Sequence, residues 1–143
     1  MRAAPQPVAE QETSPADAAT AAALVRALPW GKACADKLGY TAAWAAKLPP
    51  AVPVYPRGHV QEAAGSDAPG CKLRAVHFQT PVPANEVLDF YATVAGKGGY
   101  ALTAGKAGPD LTLTGMAKGG AQFALFVRGS AGVSEVNLVT AAR

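Results

Sequence analysis

Cys71 and His77 are the first residues whose types could do chemistry together, because they share the short run GCKLRAVHFQT, residues 70–80. A cysteine and a histidine can form a nucleophilic site, and both residue types bind zinc. The run has the composition of a β-strand, in which alternate residues share one face. Cys71 and His77 would then face the same way but lie about 20 Å apart along the strand, whereas a nucleophile and its base must be about 3 Å apart. If the run is a strand, the two side chains do not act together.

Other partners for a catalytic or metal-binding histidine are scarce in the sequence. His59 is the only other histidine, and it lies in a segment rich in glycine and proline. The histidines and cysteines show none of the CxxC, HxH or HExxH spacings of metal sites. We therefore expect no metal, no cofactor and no catalytic residues, and we interpret His77 as a partly buried strand histidine. The alternative is a small enzyme that uses Cys71 as a thiolate nucleophile, with His59 or His77 brought close by the fold.

Cys34 is the only other cysteine and is a second candidate partner for Cys71. A disulfide between them would tie the alanine-rich N-terminal part to the sheet. The loop-entropy model gives such a bridge about 4 kcal/mol of stabilisation. It would require an oxidising compartment, and the alternative is a pair of free buried thiols in a cytosolic protein.

Four polar residues in strand segments are the best candidates for a binding surface: Arg74, His77, Glu135 and Asn137. A ligand-binding sheet face would explain them. Ordinary alternation on an exposed face, or a cross-strand ion pair, is the more usual explanation of such residues. The remaining polar residues offer less, because no serine lies in a GxSxG motif and no glycine-lysine run has phosphate-loop spacing.

Charge and hydropathy argue against two classes of partner. The net charge is +3, but the 13 lysines and arginines are spread along the chain, whereas nucleic-acid binders usually carry a basic stripe. The apolar stretches are alanine-rich and interrupted, so we expect neither nucleic-acid binding nor a transmembrane segment. Residues 1–20 contain no continuous hydrophobic region that would act as an export signal. A chain that had lost a signal and a lipid anchor, with Met1 added, would read the same way.

The N-terminal third predicts helices ahead of a sheet. Residues 1–13 are polar and aperiodic, which indicates a disordered tail or tether. Residues 14–48 read as a helical lead-in that begins at the capping signal SPAD, residues 14–17. Two consecutive prolines then mark the start of an α+β sheet domain, residues 49–143, which forms one domain together with the lead-in.

The rest of the chain predicts one helix among several strands. VPVYP, residues 52–56, indicates a short edge strand, and residues 58–70 indicate a loop with two or three paired residues. PANEVLDFYATVAG is the best helix, and four strand candidates with period two follow it, separated by glycine turns. The order predicts an α+β fold, with an antiparallel sheet of about five to six strands and one main amphipathic helix packed on it.

Three segments taken together resemble a known group of proteins. They are VYP at residues 54–56, the C-x-LR-x-V-x-F-x-T strand at residues 71–80, and EVLDFY at residues 86–91. They are similar to a group of exported, lipoprotein-like proteins of Gram-negative bacteria that has no assigned activity. The resemblance covers about residues 34–141. It implies that Cys34 and Cys71 form a disulfide and that the protein resides in the periplasm or cell envelope.

The function that we expect from the sequence is a non-catalytic cell-envelope or periplasmic module. It would bind a partner protein or a small ligand through a sheet face or an exposed strand edge. The resemblance implies a lipid anchor outside the given sequence. Neither the ligand nor the partner follows from the residues.

Overall fold

A computed structural model describes residues 23–26, 28, 31–130 and 132–142. Residues 23–26 are helical, within the helical lead-in that the sequence predicts. The tail predicted for residues 1–13 and the capping signal predicted at residues 14–17 lie outside the described residues. None of the helices in the described part has the length and apolarity that crossing a membrane requires.

The described chain forms one antiparallel sheet with a single α-helix and two short 3-10 helices. In chain order the elements are η1 (Lys32–Lys37), β1 (Gly39–Tyr40), η2 (Ala42–Lys47), β2 (His59–Ala68), β3 (Cys71–Thr80), α1 (Ala84–Lys97), β4 (Ala101–Ala107), β5 (Asp110–Met116), β6 (Gln122–Ser130) and β7 (Val133–Ala141). The strand order is β1-β2-β3-β7-β6-β5-β4, and all neighbours are antiparallel. The predicted α+β class and antiparallel sheet are confirmed.

The sheet has seven strands, so the predicted number of about five to six was wrong. The short strand β1 lies in the predicted helical lead-in and pairs Gly39 and Tyr40 with β2. The strand predicted at residues 52–56 does not form, because this segment is irregular. Val52 in it is fully buried, and the Pro53 carbonyl accepts a hydrogen bond of 2.5 Å from Tyr91 Oη. The segment is held by burial and by a side chain rather than by strand pairing.

Strand β2 was predicted as a loop because its residues are small and polar. It nevertheless pairs with β3 from His59 to Ala68, with one bulge between Val60 and Glu62. The small residues are required by packing: a Cβ on Gly65 would lie 2.5 Å from the ring of Trp44 in η2. The composition that suggested a loop therefore reflects the close approach of η2 to the sheet.

The main core lies between the sheet and α1, where the predicted helix is confirmed. Val87, Tyr91 and Ala95 are the buried residues of α1. They share one apolar cluster with inward-facing residues of five strands, among them Phe78, Phe123, Leu125 and Leu138. Because side chains alternate along a strand, the even-numbered residues of β3 and β7 and the odd-numbered residues of β6 form this core face. The residues between them point to the opposite face.

The opposite face of the sheet is covered at one end by the N-terminal part of the chain. There Val25 and Cys34 pack with Cys71, Leu73 and Val139 in a second apolar cluster. Cys34 and Cys71 form a disulfide with a Cα–Cα distance of 5.5 Å, so the predicted bridge is confirmed. Because such bonds persist in oxidising surroundings, the disulfide indicates an oxidising compartment.

Candidate functional site

The structure places three of the four predicted binding residues together and separates the fourth. His77 lies on β3, and Glu135 and Asn137 lie on β7, its neighbour in the sheet. All three project from the face opposite α1, beyond the end that the N-terminal part covers. Arg74 lies on the core face, because 74 and 77 have opposite parity on the same strand.

Two rows of side chains cross the strands on this face, and we call them together the polar face. The first row joins the side chains of four strands: Asp110, Arg128, Glu135 and Gln79. The second row runs parallel to it, two residues away along each shared strand, and continues onto β2. Its members are Thr112, Phe126, Asn137, His77 and Glu62. Neighbouring Cβ atoms in such rows are about 4.5–5.5 Å apart, so the members of each row interact directly.

The charged members of the polar face are paired with each other. Arg128 Nε donates to Asp110 Oδ1 at 2.8 Å, and this carboxylate raises the pKa of the guanidinium. Glu135 receives His77 Nε2 on one oxygen at 3.2 Å and Gln79 Nε2 on the other at 3.5 Å. The carboxylates of Asp110 and Glu135 are therefore each held by side chains of the same face.

A cavity of about 290 Å³ opens on the polar face, lined by Asp110, Phe126, Arg128, Glu135 and Asn137. Asn137 is partly buried, and its side-chain amide makes no hydrogen bond to any described residue. The terminal nitrogens of Arg128 likewise have no partner in the described part of the chain. A donor-acceptor amide, a guanidinium and the Phe126 ring thus converge on one space.

A second, very small cavity lies on the other side of Asn137. Its lining includes Leu24 from the N-terminal part, together with Glu62 and His77. The buried Glu62 lies opposite His77 in the pairing of β2 with β3. His77 is therefore set between Glu62 and Asn137, in the part of the polar face nearest the disulfide-linked cluster.

Arg74 holds η2 and β2 on the sheet, rather than lining the polar face. Its guanidinium donates to the carbonyls of Lys47 and Ser66 at 3.2 and 3.0 Å and pairs with Asp67 at 2.8 Å. The guanidinium carbon, Cζ, also lies 4.8 Å from the ring centroid of Trp44. The structure thus separates Arg74 from the other three predicted binding residues, and the acceptors and the aromatic ring that it contacts belong to the protein itself.

Cys71 and His77 lie on one strand and one face, as the sequence indicated, but they form no reactive pair. Cys71 is bonded to Cys34, and the described residues include no free cysteine. The thiolate that the enzyme alternative needs is therefore absent in the oxidised protein. Within the described ranges, no three histidine, cysteine or acidic side chains are grouped so that they could hold a metal ion.

A larger cavity of about 420 Å³ lies beside the disulfide, near Gly70 and Ala142. Only two side chains of its lining, Lys72 and Gln122, carry polar groups beyond the backbone. Binding sites for small molecules combine apolar surface with several convergent polar groups. The smaller cavity on the polar face has the convergent polar groups, with the Phe126 ring as its one apolar side chain.

The sequence did not identify three members of the cavity as site residues: Asp110, Phe126 and Arg128. The period-two pattern of β6 places Phe126 and Arg128 on one face, which is a usable signal. Their approach to Asn137 and Glu135 depends on the pairing of β6 with β7. Comparison of the chain with protein-family models, curated proteins and solved structures finds no match.

Proposed function

We propose that this protein is a non-catalytic binding module of the cell envelope or periplasm that holds a small polar ligand on the polar face. The observation that carries the proposal is the convergence of the unbonded Asn137 amide, the terminal nitrogens of Arg128 and the Phe126 ring on one cavity. The Asn137 amide offers a ligand both a hydrogen-bond donor and an acceptor.

The compartment in this proposal has two supports. The Cys34–Cys71 disulfide indicates oxidising conditions, as in the bacterial periplasm. The resemblance to exported, lipoprotein-like proteins of Gram-negative bacteria favours the envelope among such compartments. A lipid anchor attached ahead of the given residues is part of the same proposal.

The absence of catalysis in this proposal is supported by the state of the ionisable groups. Cys71 is occupied by its disulfide, Glu135 by His77 and Gln79, and Asp110 by Arg128. A general base or nucleophile must reach the reacting atom of the substrate with a lone pair. The one nucleophile that the enzyme alternative names, Cys71, is bonded to Cys34, and the Asp110 and Glu135 carboxylates each contact a neighbouring side chain.

A thermal-shift screen tests the proposal. Oxidised protein is heated with neutral saccharides, amino acids, carboxylic acids and phosphate esters, each in the wild type and in Asn137→Leu. A ligand at ten times its Kd stabilises the folded state by about 1.4 kcal/mol, which raises the Tm of a chain of this size by about 4 °C. We expect this rise in the wild type, its loss in Asn137→Leu, and its retention in the control Glu86→Gln on the exposed side of α1. A rise that persists in Asn137→Leu would place the ligand elsewhere.

A partner protein is a second candidate, favoured by the exposed edge strand β4. All of its residues except Leu102 are exposed, and in the described part of the chain it pairs only with β5. Such an edge can accept an extended peptide as an additional strand. Peptides selected from a random displayed library should protect the amides of residues 101–107 from hydrogen exchange. Protection of other segments alone would contradict this second candidate.

A further inference from the structure

We infer that the ligand of the polar face is an uncharged saccharide unit; the inference rests on the proposed function and names its ligand class. It follows from three properties of the cavity. These are the partners that its charged side chains already have, the hydrogen-bonding atoms that have no partner among the described residues, and the Phe126 ring in its lining. Each property narrows the chemistry that the cavity can accept.

The charged side chains around the cavity already have partners within the protein. Asp110 is bonded to Arg128, and Glu135 is bonded to His77. An anionic ligand that bonds to the terminal nitrogens of Arg128 would lie beside the carboxylates of Asp110 and Glu135, which line the same cavity and repel it. A cationic ligand would lie beside the Arg128 guanidinium, which repels it in the same way. An uncharged ligand meets neither obstacle.

The hydrogen-bonding atoms left over include both donors and acceptors. Asn137 supplies an amide nitrogen and an amide oxygen, and its side chain bonds to no described residue. The terminal nitrogens of Arg128 supply further donors. A ligand hydroxyl can donate and accept at once, so a ring with several adjacent hydroxyls suits this mixture. A ligand with only acceptors, such as a phosphate, would leave the Asn137 oxygen unpaired.

The Phe126 ring adds an apolar surface between these polar atoms. It is partly buried, and it lies between Thr112 and Asn137 in its row. A pyranose ring has one face made largely of C–H groups and a rim of hydroxyls. The C–H face would cover the aromatic ring while the hydroxyls reach the polar atoms around it, which is how an aromatic side chain gains apolar contact in a wet site.

The size and openness of the cavity suit one sugar unit within a longer chain. Its volume of about 290 Å³ is at the lower end of the range for small-molecule sites, which is about 300–1,000 Å³. The side chains of Arg128 and Glu135 at its rim are 55% and 42% exposed, so the site is open on the solvent side. A glycan can therefore continue away from the bound unit without a clash.

Saturation-transfer NMR with defined sugars tests the inference. The probes are the uncharged methyl glycosides of glucose, galactose, mannose and N-acetylglucosamine, and the charged comparators are glucuronic acid and glucosamine. We expect at least one uncharged glycoside to bind, with the strongest transfer to the C–H protons of one ring face. Phe126→Leu should weaken its binding about tenfold, because the aromatic contact is lost. Thr103→Val, on the same sheet face but outside the cavity, should leave it unchanged.

The variants are chosen so that loss of folding does not decide the outcome. Arg128→Gln alters an exposed side chain and should also weaken binding, by removing donors at the rim. Binding of an uncharged glycoside that neither variant weakens would overturn the inference. Binding of a charged comparator without any uncharged glycoside would overturn it too, and would leave the proposed function intact. If every sugar fails and the thermal-shift screen also yields no ligand, the proposed function fails as well.

Discussion

Reduction of the Cys34–Cys71 disulfide should lower the free energy of unfolding by about 4 kcal/mol. The two cysteines are 37 positions apart in sequence, so the bridge closes a long loop in the unfolded chain. The chain-entropy model gives about 13 cal/mol/K for a loop of this length, or about 4 kcal/mol at 25 °C. Single domains are typically stable by only about 5–15 kcal/mol, so a large share of the total depends on this bond.

Urea unfolding of oxidised and reduced protein measures this loss. With an m-value of about 2 kcal/mol/M, reduction should lower the midpoint by about 2 M. The double variant Cys34→Ala, Cys71→Ala serves as the control, because reductant should not move its midpoint. A decrease of less than about 0.5 M in the wild type would refute the reasoning. It would mean that the N-terminal part docks on the sheet independently of the bond, through the apolar cluster around Val25.

Three further changes test how the fold is held. Arg74→Met should lower stability by about 2–3 kcal/mol, because charge-assisted bonds to two carbonyls and a carboxylate are lost; Lys72→Met, at an exposed residue of the same strand, should change it by less than about 0.5 kcal/mol. Gly65→Ala should cost about 1–3 kcal/mol, because its Cβ would meet the η2 indole ring at 2.5 Å, whereas Gly119→Ala has open space and should be neutral. Burial raises the pKa of Tyr91, because it disfavours the charged phenolate. The stability that the neutral Tyr91 side chain contributes is therefore complete below about pH 10 and is lost as the pH rises further. Above pH 10, the free energy of unfolding should fall with rising pH more steeply in the wild type than in Tyr91→Phe. The two slopes should differ by up to about 1.4 kcal/mol per pH unit. Equal urea midpoints for a variant and its control, or equal pH slopes for Tyr91→Phe and the wild type, would contradict the corresponding prediction.

The local sequence pattern could predict those elements whose own apolar periodicity shows which face is buried. The stripe of Val87 and Tyr91 identified α1, and the period-two runs after it identified the C-terminal strands. The residues of strand β2 predicted a loop instead. Gly65 and its neighbours are small because η2 packs closely against them. A requirement imposed by a distant element is invisible in the residues that satisfy it.

The candidate site was predictable only in part, for a related reason. Alternation along one strand sufficed to place Glu135 and Asn137 together, and the same rule would have separated Arg74 from His77. Asp110 and Phe126 join them only because β5, β6 and β7 pair in a particular register. Register follows from the burial of the whole sheet face rather than from any short segment.

Amide-resolved NMR mapping tests the central claim, that the polar face is the binding surface, most directly. The compound with the largest thermal shift is titrated into oxidised, ¹⁵N-labelled protein. We predict that the largest shift changes fall on residues 110–112, 126–128 and 135–137, with smaller ones on residues 77–79. Changes confined to the α1 side, or to the cavity beside the Cys34–Cys71 disulfide, with the polar face unchanged, would contradict the claim.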